Sequence, residues 1–208
     1  MSGNSGSAGE SHRLRWDERH GQADGFGSVA QVLLRNAHLL PARGRALDLA
    51  CGRGANALWL AERGWEVHAW DFSPVAVERL EAEAKRRGLA VEGQVRDVVA
   101  RPPEREVFDL VFVGHFLERS LAPALVEALR PGGLLFYQTF VREVNRGRGP
   151  GGDHWRLAPN ELLRLFAGLR VHYYREDAPF GGDADELADL ALLVASRPGR
   201  AASIPKGS

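Results

Sequence analysis

The sequence holds one cysteine, Cys51, in 208 residues. That excludes an internal disulfide and sets the expectation of a reducing, cytoplasmic setting. No apolar run comes near the roughly 18 residues that a membrane helix requires, so no membrane partner is expected. An excess of one charge is missing too, since 27 basic residues face 27 acidic ones. Such a chain has no overall attraction to nucleic acid or to an anionic surface. Lysine is nearly absent, with Lys85 and Lys206 alone, so arginine supplies positive charge wherever a segment needs it. Residues 1–12 have neither a charged start nor an apolar centre and read as an unstructured leader, and 198–208 as an unstructured tail. The remaining 13–197 suits a single domain.

What is present alternates between two periodicities. Phe26, Val29, Val32, Leu33, Ala37 and Leu40 fall at helical spacing before Pro41. Ala46-Leu47-Asp48-Leu49-Ala50 is then a short apolar strand around one acid. Two glycines, Gly52 and Gly54, turn the chain into a helix that stops near Gly64. Residues 65–70 alternate as a second strand ending at Asp71, and Ser73-Pro74 caps a helix running to about Arg87 before Gly88. Strands follow over 89–95, 107–113 and 134–140, with a helix over 122–129 ended by Arg130-Pro131-Gly132-Gly133. Residues 141–156 have no periodicity and read as a mobile loop or lid. A short helix over 159–166 and two last strands, 169–175 and 187–196, complete the domain. Strands alternating with helices predict an α/β fold, a Rossmann-like doubly wound sheet.

In such sheets ligands lie beyond the carboxyl ends of the strands, and that is where the acids fall. Gly52-x-Gly54-x-x-Ala57 also satisfies a dinucleotide fingerprint, but Asp48 would oppose a pyrophosphate and favour a cationic ligand. Asp48 has a second reading, as a cap on backbone amides of the turn. Asp71 can accept ribose hydroxyls, and Asp97 can accept from an adenine amino group or serve only its own turn. Cys51 reads as a small buried filler. His115, just past the fourth strand, reads either as a general base or as a packed histidine. Arg142, Arg146, Arg148 and Arg156, with His154 and Trp155, suggest a clamp for an anionic small substrate; the arginine-rich composition is the competing explanation.

These residues resemble the class I S-adenosylmethionine-dependent methyltransferases over roughly 16–197. Leu47-Asp48-Leu49-Ala50-Cys51-Gly52-Arg53-Gly54 looks like that family's first motif, Val67-His68-Ala69-Trp70-Asp71 its second, and Arg96-Asp97-Val98 its adenine-side motif. Phe108-Asp109-Leu110-Val111 is similar to its fourth strand, and Leu129 to Leu134 to the turn before its fifth. Within the class, Asn56 to Ala61 with Asp71-Phe72-Ser73 is most similar to the tellurite-resistance and thiopurine methyltransferase branch. Trp16-Asp17-Glu18-Arg19-His20 resembles the lead-in segment of such enzymes.

The resemblance implies a seven-stranded sheet, mostly parallel with an antiparallel last strand. It implies S-adenosylmethionine as cofactor, S-adenosylhomocysteine as product, and in-line methyl transfer to a small acceptor: a thiol, a chalcogen oxyanion or a carboxylate-bearing metabolite. Asp48, Ala50, Gly52, Gly54 and Asn56 would hold the cofactor from the first motif, and Asp71, Phe72 and Ser73 from the second. Asp97, Val98 and Phe116 would flank the adenine or methyl end. Trp16 and Arg19 would cover the cofactor, Arg19 meeting its carboxylate. His115 is the candidate catalytic group, and Arg142, Arg148 and His154 the candidate substrate contacts. No metal, no nucleic acid and no membrane are expected, and the chain would be a monomer or weak dimer. A nicotinamide-dependent oxidoreductase and a non-catalytic cofactor-binding module stand as alternatives. One departure is plain: where the tellurite-resistance branch carries a His-Arg pair between its last two strands, this sequence has Pro179-Phe180-Gly181-Gly182-Asp183.

Overall fold

Strand β1 (Arg45–Leu49) is buried on both faces and sits inside the sheet, which is why it is nearly all apolar. The computed structural model describes residues 25–143, 148–180 and 187–199. Around β1 lie β2 (Glu66–Asp71), β3 (Val91–Val95), β4 (Phe108–Gly114), β5 (Leu129–Phe140), β6 (Arg170–Glu176) and β7 (Leu190–Ser196). The seven strands run in the order β3-β2-β1-β4-β5-β7-β6. The first five are parallel where they pair, and β7 is antiparallel to both β5 and β6. This is the expected doubly wound sheet with its reversed strand.

Each sheet face has its own core. Ala46, Val67, Ala69, Leu110, Phe112, Phe136 and Val194 pack against helices α1 (Gln31–Arg35), α2 (Ala55–Ala61) and α3 (Pro74–Arg87). Leu47, Leu49, Val111, Val113, Leu135 and Leu193 pack against α4 (Ala122–Ala128) and α5 (Glu161–Leu165). Strand alternation puts Asp48 on the same face as Ala46, beneath α2, and Gln138 on the same face as Phe136. Ser73 caps α3 as expected, its hydroxyl accepting from the Ala76 N–H, and Gly88 ends that helix at φ 68°.

Three elements differ from expectation. The first helix is short, five residues and then a 3-10 turn over Ala37–Leu39. Gly25 and Gly27 hold left-handed backbone ahead of it, and the Asn36 amide turns back to the Val32 carbonyl behind it. Arg130 to Gly133 is not a turn outside the sheet. Pairing jumps from Phe108 with Leu129 to Leu110 with Leu134, so the extra residues bulge within β5, helped by φ 85° at Gly132. The expected mobile lid is, in its described part, pinned by a bridge between Val141 and Leu157 and a 3-10 turn over Asp153–Trp155.

Candidate functional site

The carboxyl edge of the sheet brings the first two motifs together through one carboxylate. Past β1, Ala50 (φ 56°) and Gly52 (φ 52°) are left-handed, and the Cys51 N–H donates to the Trp70 carbonyl. Asp71, the last residue of β2, accepts from the Gly52 N–H at 2.8 Å on Oδ2 and from the Ser73 N–H at 2.9 Å on Oδ1. The expected ribose acid therefore already ties the turns past β1 and β2 to each other. Each oxygen keeps a second lone pair for a ligand. Phe72, half-buried, lies within the second of these turns.

Asp48 is deeper than a residue crowning a strand. Its carboxyl is 1% exposed and neither oxygen has a hydrogen-bond partner among the described residues. Burial pushes its pKa up to about 8; the nearby Ala57 N–H opposes the rise and the Asp71 charge adds to it. The Ala57 N–H is the one amide contact left of the turn-capping reading, too long for a full hydrogen bond and too weak to offset the burial. An orphaned buried carboxyl under a sharp backbone turn is the setting that a cationic ligand completes. Cys51 is the expected filler: burial first, then Asp48 and Asp71, raise its thiol pKa well above the ordinary value, so it stays protonated.

At Gly54 the backbone has φ 84°, and a Cβ would meet Leu80 Cδ1 at 2.4 Å. The glycine lets α2 begin close against α3. Asn56 has a structural task as well: its Oδ1 accepts from the Ala30 N–H at 2.8 Å and holds the segment before α1 in place.

At the β3 end, Asp97 is exposed and spends one oxygen, Oδ1, on the N–H groups of Val99 and Ala100; Val98 is buried beside it. The sequence reading missed Arg96. Its buried guanidinium stacks 3.9 Å over the Trp70 ring and bonds the Arg101 and Pro102 carbonyls and Glu104, fixing the β3–β4 crossover. The Pro102-Pro103 pair was the available signal, because a segment that cannot be helical needs side chains to hold its carbonyls.

His115 follows β4 with left-handed backbone, φ 55°. Its N–H donates to the Gln138 carbonyl at 2.8 Å, and its Nε2 lies 3.2 Å from Gln138 Nε2. The Phe140 ring stands 4.9 Å away at 37°. The ring is open to solvent on one side, yet enough protein surrounds it to lower its pKa, a shift that the charge of Asp189 opposes. Phe116 is half-buried, its carbonyl accepting from Tyr137 Oη. Gln138 was not singled out from sequence, because a glutamine inside an apolar strand carries no motif.

The arginine clamp is not assembled as expected. Arg148 forms a two-pronged ion pair with buried Asp189, at 2.7 and 3.0 Å. Arg142 Nε bonds the carbonyls of Asp153 and Arg156. Arg156 is buried and bonds the carbonyls of Val141, Pro150 and Arg148. Arg119, also missed, reaches the His154 and Arg156 carbonyls and pairs with Glu161. The exposed His154 ring meets the edge of Trp155 and lies near Glu118. These guanidinium groups satisfy the carbonyls of a segment without regular structure, a task the composition could not distinguish from anion binding. Trp16, Arg19 and Arg146 lie outside the described residues. Among the described residues no group of three or more His, Cys, Asp or Glu is placed to hold a metal, and no helix is long and apolar enough to cross a membrane.

Residues 46–133 match the family model described as a methyltransferase domain. The ubiquinone biosynthesis O-methyltransferase of Xanthomonas axonopodis pv. citri is 32% identical over 170 residues, covering 78% of this chain and 69% of that protein. The ribosomal RNA small subunit methyltransferase C of Alcanivorax borkumensis is 30% identical over 132 residues, 56% of this chain. This chain spans only 38% of the length of that second relative. Among solved structures, TehB from Haemophilus influenzae superposes with a TM-score of 0.67 at 20% identity, over 81% of this chain and 62% of that one.

Proposed function

The chain belongs to the class I S-adenosylmethionine-dependent methyltransferases, and we propose that it methylates a small molecule whose acceptor atom sits beside His115. The cofactor of the family is S-adenosylmethionine, which supplies an electrophilic methyl on a sulfonium. The nicotinamide alternative left open by the glycine motif is thereby set aside.

The observation that carries the reading of the site is Asp48. Its buried carboxyl, on the strand that runs into the Ala50–Gly54 turn, has no full hydrogen bond among the described residues, and a ligand with an ammonium and a sulfonium would supply the missing positive charge. Asp71 would use its remaining lone pairs for ribose hydroxyls, and the unused oxygen of Asp97 would accept from the adenine amino group. Val98, Phe72 and Phe116 would supply apolar contact around the base. The chain's contribution to the reaction is alignment and exclusion of water rather than covalent chemistry, since Cys51 remains a buried thiol. A small acceptor is supported by the described arginines of the segment after β5, Arg142, Arg148 and Arg156, which are engaged with carbonyls and Asp189 and among themselves form no track for a polyanion.

Calorimetry with S-adenosylhomocysteine, then transfer of a labelled methyl to a panel of thiols, selenite, tellurite, small carboxylates and phenols, tests the reading. Ribosomal RNA is the control. Labelling of a small molecule supports it, and labelling of RNA alone overturns it.

A further inference from the structure

Gln138 lies on β5, on the same sheet face as Asp48, and its amide has two ends with opposite roles. The Val32 backbone N–H can only donate, so the Gln138 atom facing it at 2.9 Å is the carbonyl oxygen Oε1. The amide nitrogen is thereby turned toward the imidazole, 3.2 Å from His115 Nε2. An amide nitrogen only donates. The ring nitrogen opposite it must therefore carry a lone pair, and the single proton of a neutral imidazole must be on Nδ1.

We propose that Gln138 positions His115 as the Nδ1–H tautomer, so that His115 donates a hydrogen bond to the methyl acceptor and does not deprotonate it. This rests on the reading above, that the acceptor sits beside His115. An imidazolium would set N–H against N–H at Gln138, so the same contact disfavours the charged ring. The lowered pKa agrees, burial being its first cause. Among the described residues, Asp189 is the one charged group that pulls the ring toward protonation, and Arg148 pairs with that carboxylate. Nδ1 has no partner among the described residues and the residue is exposed, so its N–H is open to a ligand. Phe140 closes one side of the ring.

A donor without a nearby base restricts the acceptor. It must arrive with a lone pair and no proton to lose: a thiolate, a carboxylate or a chalcogen oxyanion. A lone pair of the acceptor forms the bond to the methyl carbon, the carbon–sulfur bond of the sulfonium breaks, and its electron pair stays on sulfur. An anionic acceptor releases no proton in that exchange. In an oxyanion, the Nδ1–H would hold one oxygen while another takes the methyl. A neutral alcohol or phenol would find no base beside His115 among the described residues to receive its proton.

Nitrogen-15 NMR of the ring-labelled, ligand-free protein tests the tautomer directly, with His115 assigned by the peak lost in His115→Asn. The expected result near pH 7.5 is a protonated Nδ1 and a bare Nε2. In Gln138→Glu, the carboxylate accepts from Val32 and demands a proton on Nε2, so the tautomer inverts and the ring pKa rises. An Nε2–H or charged ring in the unmodified protein overturns the proposal, even if Gln138→Glu does not fold. An unchanged tautomer in a folded Gln138→Glu does the same.

The activity arm uses an anionic acceptor from the panel. Asparagine tolerates left-handed backbone and offers an N–H near the position of Nδ1, so His115→Asn should retain activity within roughly tenfold, about one hydrogen bond, while His115→Phe loses more. The rate should show no ascending limb at the His115 pKa. A base role instead predicts that limb and equal damage in both variants. If no small acceptor is methylated, the reading of the acceptor fails, and the NMR result still decides the tautomer.

Discussion

Asparagine at position 48 keeps the shape of the buried side chain and removes its ionisation, which makes Asp48→Asn the sharpest probe of the site. In the folded protein burial raises the carboxyl from its ordinary 3.8 to about 8. The unfolded chain titrates near the lower value. Between the two, the folded state keeps a proton that the unfolded state has released. Stability is therefore fullest below about pH 4, falls as pH rises, and levels off above about pH 8. The whole interval corresponds to on the order of 5 kcal/mol, and relaxation with water entry reduces this to roughly 2–4 kcal/mol. Thermal melts of the ligand-free protein from pH 5 to 9 should show this decline, and Asp48→Asn should remove it. Above pH 8 the variant should melt about 5–15 °C higher than the parent.

Cofactor binding should respond in the opposite sense. A cation above the turn favours the carboxylate, so S-adenosylhomocysteine, which retains the ammonium, should bind more tightly as pH rises toward 8 and release a proton on binding. Calorimetry in two buffers of different ionisation heat measures that proton. Asp48→Asn should abolish the release and weaken binding by roughly 1–3 kcal/mol, the cost of losing a charged partner. Parallel pH slopes in the two proteins, or an unchanged dissociation constant, would refute the reasoning.

Other substitutions separate support from contact. Gly54→Ala should cost about 2–4 kcal/mol in urea denaturation, from the clash with Leu80 and the left-handed backbone, and adding Leu80→Ala should restore part of it. Asp71→Ala should lose the bonds to Gly52 and Ser73, so melting temperature and cofactor affinity should fall together; a loss of affinity alone would assign the carboxylate to the ligand only. Arg156→Met should strand the carbonyls of Val141, Pro150 and Arg148, with hydrogen exchange rising in 148–157 before the rest of the domain. Arg148→Ala should leave the buried Asp189 carboxylate without its ion pair and cost about 1–3 kcal/mol, read from denaturation above pH 6.

The order of elements, the sheet class and the glycine turn after β1 were legible in the residues. Each depends on local chemistry: apolar strands, left-handed glycines, and a Ser-Pro cap opening a helix. Asp48, Asp71 and Asp97 could be named because they lie in or just past those strands in the chain. Their roles could not, since Asp71 joins two turns through a bond to Gly52, 19 residues back, and the burial of Asp48 depends on what packs over it. For the same reason an arginine that clamps an anion and one that satisfies a carbonyl look alike in sequence. Only the tertiary structure set Gln138 between Val32 and His115, because a hydrogen-bond donor acquires its meaning from what it faces across 106 residues of chain.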